Sequence, residues 1–112
     1  MKTENSDNLR ELQILEQNLQ SFLMQKQSFE IENTEIDNAL SELTKTTGEV
    51  YRVLNNIMIL SNKEELKKEL EEKKKIISLR ISSIEKQERL LEAKSEELRK
   101  EIQSSMNKDN KK

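Results

Sequence analysis

Cysteine, histidine, tryptophan and proline are all missing from this 112-residue chain, and glycine occurs once, at Gly48. Without cysteine there is no disulfide and no thiolate ligand. Without histidine there is no imidazole ligand and no nucleophilic triad built on a histidine base. A single glycine cannot make a phosphate-cradling loop. An enzyme is therefore not expected, and neither is a cofactor or a metal. Aromatic residues supply 3% of the chain and the whole apolar set 32%, too little to fill a compact core. No apolar run is long enough to cross a bilayer, and the start lacks a basic segment followed by an apolar one. A cytoplasmic location is the expectation. The net charge is −2, and the one basic run, Lys73-Lys74-Lys75, follows Glu71-Glu72. With no basic face and no interleaved aromatics, nucleic acid is not an expected partner.

What the chain does have is charge, 38% of its residues, together with evenly spaced Leu and Ile. Such a composition, free of proline, belongs to long helices or coiled coils, or else to disorder. Periodicity decides. Between Asn8 and Lys45 the series Leu15, Phe22, Phe29, Ile36 and Leu43 repeats every seven residues, a complete apolar d row. Its a row is Leu12, Leu19, Lys26, Asn33 and Leu40, polar at two positions. A helix over 8–47 follows, about 55 Å long at ~1.5 Å per residue. In the second half Leu70, Ile77, Ile84, Leu91 and Leu98 repeat in the same way. The companion row is read as Leu66, Lys73, Arg80, Gln87, Lys94 and Glu101, with Ile76, Ile81, Leu90 and Ile102 widening the stripe. Pairs such as Glu64/Lys68 and Glu85/Arg89 add a few tenths of a kcal/mol each to a helix over 62–106.

Neither stripe can be buried by its own helix. Antiparallel pairing within the chain stacks Leu43 on Leu70, Ile36 on Ile77, Phe29 on Ile84, Phe22 on Leu91 and Leu15 on Leu98. The same reading sets Asn33 against Arg80 and Lys26 against Gln87, and at the far ends Leu12 against Glu101 and Leu19 against Lys94.

Residues 49–60, EVYRVLNNIMIL, break the helical pattern. Thr44 to Thr47 weaken the first helix because branched Cβ atoms restrict χ1, and Gly48 suits a left-handed C-cap. Ser61 and Glu64 have capping-box spacing for the second helix. Between them, β-branched and aromatic residues flank Asn55-Asn56, and asparagine tolerates the positive φ of a type I′ turn. A β-hairpin is expected. Only Arg52 in its strands is charged. Val50, Tyr51, Val53, Leu54, Ile57, Met58, Ile59 and Leu60 would therefore be exposed in one chain, and burial by other chains is the way to cover them.

The stretches LQSFLMQKQSFEIENTEIDNALSEL, EVYRVLNNIMI and KEELKKELEEKKKIISLRISSIEKQERLLE, spanning about Leu9 to Met106, resemble the β-class subunit of prefoldin. Gln25-Lys26-Gln27, Glu49-Val50-Tyr51 and Lys63-Glu64-Glu65-Leu66 carry the likeness, and one hairpin in place of two marks the β class. The family often has glycine where this chain has Asn55. The resemblance implies a mainly α fold, one prefoldin-like domain over 1–112, in which a long antiparallel two-helix coiled coil is joined by a hairpin that oligomerises into a β-barrel platform. It implies an archaeal cytoplasmic chaperone, a hetero-hexamer of α-class and further β-class subunits. The implied function is an ATP-independent holdase that binds unfolded proteins at its coiled-coil tips and delivers them to a group II chaperonin.

Client contacts would then fall at the helix ends, on Leu9, Leu12, Ile14, Leu15, Leu98, Ile102 and Met106. From the residues alone these side chains either widen the helix seam or offer adaptable apolar contact, to which methionine contributes flexibility. A structural coiled-coil adaptor or tether without client binding is the alternative function. Residues 107–112 are charged and polar, and are expected to be disordered.

Overall fold

A computed structural model describes residues 2–110, and the side chains of 6–107. Its elements are helix α1 (Lys2–Lys45), strands β1 (Val50–Leu54) and β2 (Ile57–Ser61), and helix α2 (Lys63–Asn110). Both helices exceed their expected bounds at the chain ends. Of the tail expected to be disordered, residues 107–110 continue α2, and Lys111 and Lys112 lie outside the described residues.

The chain divides into two compact units. One holds residues 1–26 with 82–112. There, half-buried or buried residues recur on α1 at Asn8, Leu12, Leu15, Leu19, Phe22 and Lys26, alternating steps of four and three. That is the heptad seam read from the sequence. On α2 the buried or half-buried positions are Ile84, Glu88, Leu91, Ser95, Leu98, Ile102 and Ser105. The companion row therefore lies four residues after each member of the apolar row, and Gln87, Lys94 and Glu101 are exposed. The expected polar pairings shift with it. Lys26 meets Glu88 at 2.9 Å, not Gln87. Heptad steps outward from this ion pair bring Phe22 to Leu91, Leu19 to Ser95, Leu15 to Leu98 and Leu12 to Ile102. The expected mismatches of Leu19 with Lys94 and Leu12 with Glu101 do not occur. Lys94 instead pairs with Glu11 and Arg99 with Glu16, along the two edges of the seam. Edge pairs of this kind fix an antiparallel register.

The other unit holds residues 27–81. Ile36, Leu43 and Ile77 form its buried core, flanked by Phe29, Asn33, Leu40, Leu70 and Lys74. The Lys73–Glu32 pair repeats the edge spacing of Lys94–Glu11, and Lys74 bridges to Asp37. Arg80, expected opposite Asn33, is exposed on the seam edge and lays its guanidinium over the Phe29 ring, 5.8 Å from the centroid.

Two capping expectations change. Gly48 has no positive φ, and a Cβ built there would meet nothing, so no left-handed glycine ends α1. Instead the Glu42 carbonyl accepts from the Thr46 amide (3.0 Å) and hydroxyl (2.7 Å), while Lys63 Nζ donates to the Thr46 carbonyl at 2.8 Å. The N-cap of α2 is Asn62, not Ser61. Its Oδ1 accepts from the amides of Glu64 (2.9 Å) and Glu65 (3.3 Å).

Candidate functional site

The hairpin forms as the sequence indicates. β1 and β2 pair antiparallel in the register Val50–Ser61, Tyr51–Leu60, Arg52–Ile59, Val53–Met58 and Leu54–Ile57. Asn55 and Asn56 take φ of 48° and 68°, the two left-handed residues of a type I′ turn. This turn matches the twist of the strands, so asparagine does the work of glycine here.

Side chains alternate across the two faces of a strand pair. Val50, Arg52, Leu54, Ile57, Ile59 and Ser61 share one face. Tyr51, Val53, Met58 and Leu60 make the other, which contains no charge. Both faces are open: Val53 and Met58 are each 67% exposed, and Ile57 63%. Tyr51, Leu54, Ile59 and Leu60 are exposed as well, and Val50 is half-buried. Exposed apolar patches of this extent on a small chain mark an interaction surface, and the unpaired outer edges of both strands add free backbone donors and acceptors.

Two polar groups frame the hairpin. Arg52 makes a fork with the Glu69 carboxylate of α2, at 2.9 Å and 2.5 Å. The Tyr51 hydroxyl donates to Glu49 at 2.8 Å. That hydrogen bond, and to a lesser degree desolvation, holds the Tyr51 pKa above the ordinary value of 10.0. A carboxylate beside the phenol disfavours the phenolate.

The second candidate surface lies at the helix ends. Leu9 and Ile14 are each 50% exposed and Met106 is 56% exposed. Leu12 and Ile102 are half-buried. Leu15 and Leu98, also expected to meet clients, are 6% and 7% exposed, because their row is the seam itself. They can be reached only where the helices part. Leu23 and Met24 are exposed on α1 as well, and Leu90 on α2. Among the described residues no group of three or more acidic side chains is placed to hold a metal ion, and no helix is long and apolar enough to cross a membrane.

This arrangement of two helices and one hairpin has known counterparts. The family described as "Prefoldin subunit" matches residues 6–109. The chain belongs to the prefoldin subunit family. The prefoldin subunit beta of Thermoplasma volcanium is 35% identical over 107 residues, covering 93% of this chain and 86% of that protein. That of Sulfurisphaera tokodaii is 33% identical over 96 residues, covering 84% and 77%. Among solved structures, the crystal structure of the prefoldin beta subunit from Thermococcus strain KS-1 superposes with a TM-score of 0.84, at 31% identity over 91% of each chain. The chain is thus a prefoldin chaperone subunit, built to assemble with other prefoldin subunits.

Proposed function

We propose that this chain is the β-class member of a prefoldin hetero-hexamer with α-class and further β-class subunits, joined through its hairpin into a β-barrel platform. In this reading the assembled complex is an ATP-independent cytoplasmic holdase. It takes up unfolded proteins at the helix ends and delivers them to a group II chaperonin, with no catalytic step and no cofactor.

The observation that carries the proposal is the hairpin. Seven exposed apolar side chains on ten strand residues cannot be covered by their own chain. Burying each is worth roughly 1.5–3 kcal/mol, which favours strand addition and sheet packing between subunits. Val50, Tyr51, Val53, Leu54, Ile57, Met58, Ile59 and Leu60 are the proposed joint. At the helix ends Leu9, Ile14 and Met106 are the accessible client contacts. Leu12 and Ile102 contribute their exposed edges, and Leu15 and Leu98 join when the helix ends separate.

The test is light scattering by a denatured client diluted into buffer with the assembled complex. Protection is expected without ATP. Replacing Leu9, Ile14 and Met106 together by serine should weaken protection while leaving the mass of the complex unchanged. Full protection by that variant would sink the assignment of the helix ends, and no protection by the wild-type complex would favour a passive tether.

A further inference from the structure

Arg52 is the sole charged residue in the two hairpin strands, and it sits in the middle of β1, on a face whose other members are apolar except for Ser61. A charge in a surface that must be buried is costly unless it is paired. The structure pairs it within the chain. Nη1 donates to Glu69 Oε2 at 2.9 Å and Nη2 to Oε1 at 2.5 Å, linking the hairpin to the second turn of α2. A two-point fork constrains direction as well as distance, which a single contact does not.

From this we infer that the Arg52–Glu69 fork is a positioning device for assembly. It holds the Arg52 face of the hairpin toward α2 and so presents the Tyr51, Val53, Met58 and Leu60 face to neighbouring subunits. The inference rests on the reading of the hairpin as the joint.

Three observations converge on it. The fork lies on one face only, and the opposite face carries no charge and holds Val53 and Met58, the most exposed large apolar side chains of the hairpin. The connections at the hairpin base are short: four residues, 46–49, separate α1 from β1, and Asn62 alone separates β2 from α2. Lys63 Nζ already ties the base by donating to the Thr46 carbonyl. With the base held, the remaining freedom of a two-stranded ribbon is its tilt and twist over α2. The fork spans that gap from mid-strand. Lysine, a point charge with no planar fork, would hold distance but not orientation.

The experiment uses the full-length chain mixed with an α-class prefoldin subunit, its native mass read by light scattering after size exclusion. Arg52→Glu places two carboxylates together and should reduce the assembled fraction at least tenfold at a fixed subunit concentration. Arg52→Lys should give an intermediate loss. The exchange Arg52→Glu/Glu69→Arg restores the fork with reversed polarity and should recover most of the assembly. Far-ultraviolet circular dichroism should show the same helix content in all variants. Unchanged assembly of Arg52→Glu would overturn the inference, as would a loss that the exchange does not rescue. Met58→Glu, on the opposite face, separates the two readings: if it assembles as wild type, the hairpin is not the joint at all. If Met58→Glu dissociates the complex and Arg52→Glu does not, the joint stands and the positioning role falls.

Discussion

The Lys26–Glu88 layer offers the sharpest quantitative test of how the helices are held in register. The two side chains meet at 2.9 Å on the facing a rows and keep 22% and 13% of their surface. Their Coulomb attraction at this distance is about 6 kcal/mol for an effective dielectric constant of about 20, and about 1.4 kcal/mol in bulk water. Desolvation of both ions removes much of the larger figure. Losing one partner costs about 3–5 kcal/mol for a fully buried pair and about 0–1 kcal/mol for an exposed one. At this degree of burial, Lys26→Met or Glu88→Leu alone should cost about 2–3 kcal/mol. The double variant, which replaces an ionic layer by an apolar one, should return to within about 1 kcal/mol of wild type or exceed it.

Urea unfolding of the full-length chain at one fixed concentration, followed by far-ultraviolet circular dichroism, measures all four corners of the cycle. Losses in the double variant that simply add those of the single variants would refute the reasoning. Register supplies an independent reading. The wild-type chain has no cysteine, so Leu19→Cys with Ser95→Cys, one heptad from the ion pair, should form one disulfide on oxidation. In the Lys26→Met/Glu88→Leu background that bond should form less completely, because an apolar layer no longer penalises a slipped seam.

Three further outcomes follow from local chemistry. Asn62→Ala should destabilise α2 by about 0.5–2 kcal/mol by removing the acceptor for the Glu64 and Glu65 amides, whereas Ser61→Ala should be nearly neutral; the reverse order in thermal unfolding would restore Ser61 as the cap. Ser95 is 2% exposed and its hydroxyl has no hydrogen-bond partner, so Ser95→Ala should stabilise the chain by about 1 kcal/mol in the same urea assay. Tyr51 is the only tyrosine and there is no tryptophan, so ultraviolet absorbance reports its ionisation directly. Its midpoint should lie above 10.0 and fall in Glu49→Ala. Since the folded-state pKa is raised, the stabilisation linked to this hydrogen bond is complete below the unfolded-state value and is lost as pH rises through the folded-state value.

Much of the fold was legible because heptad spacing and turn chemistry are local signals. The rows Leu15 to Leu43 and Leu70 to Leu98, the hairpin and the Asn55-Asn56 turn all follow from residues whose neighbours in sequence dictate their role. The companion row on α2 was misplaced by one residue. The row from Lys73 to Glu101 is polar throughout, whereas Lys74, Ile81, Glu88, Ser95 and Ile102 include two isoleucines, which the reading used only to widen the stripe. Ile81 and Ile102, each four residues after a member of the apolar row, and the charge match of Glu88 to Lys26 are the signals that separate the two. The caps were less legible. Gly48 and Ser61 are good capping residues by type, but the ends of α1 and α2 were decided by Thr46, Lys63 and Asn62, through which the chain is drawn into the hairpin. At the helix ends, the stacking of Leu15 on Leu98 already implied the burial that the structure shows, and naming the same two residues as client contacts ran against it.

Two departures from ordinary patterning remain, and they have opposite consequences. Lys26, Glu88, Asn33 and Ser95 put polar groups in the seam, with the Asn33 and Ser95 oxygens unpaired, which lowers the stability of the isolated chain. The hairpin does the converse and leaves apolar side chains in water. A chain with a thin, partly polar seam and an uncovered hairpin gains in assembly what it forgoes alone, because partners that bind only the folded chain shift the folding equilibrium by mass action. Melting in the presence of an α-class subunit should therefore rise with total subunit concentration. Met58→Glu, which blocks the proposed joint without touching the seam, should remove that dependence and leave the melting of the isolated chain nearly unchanged. A concentration dependence that survives Met58→Glu would place the stabilising contact outside the hairpin.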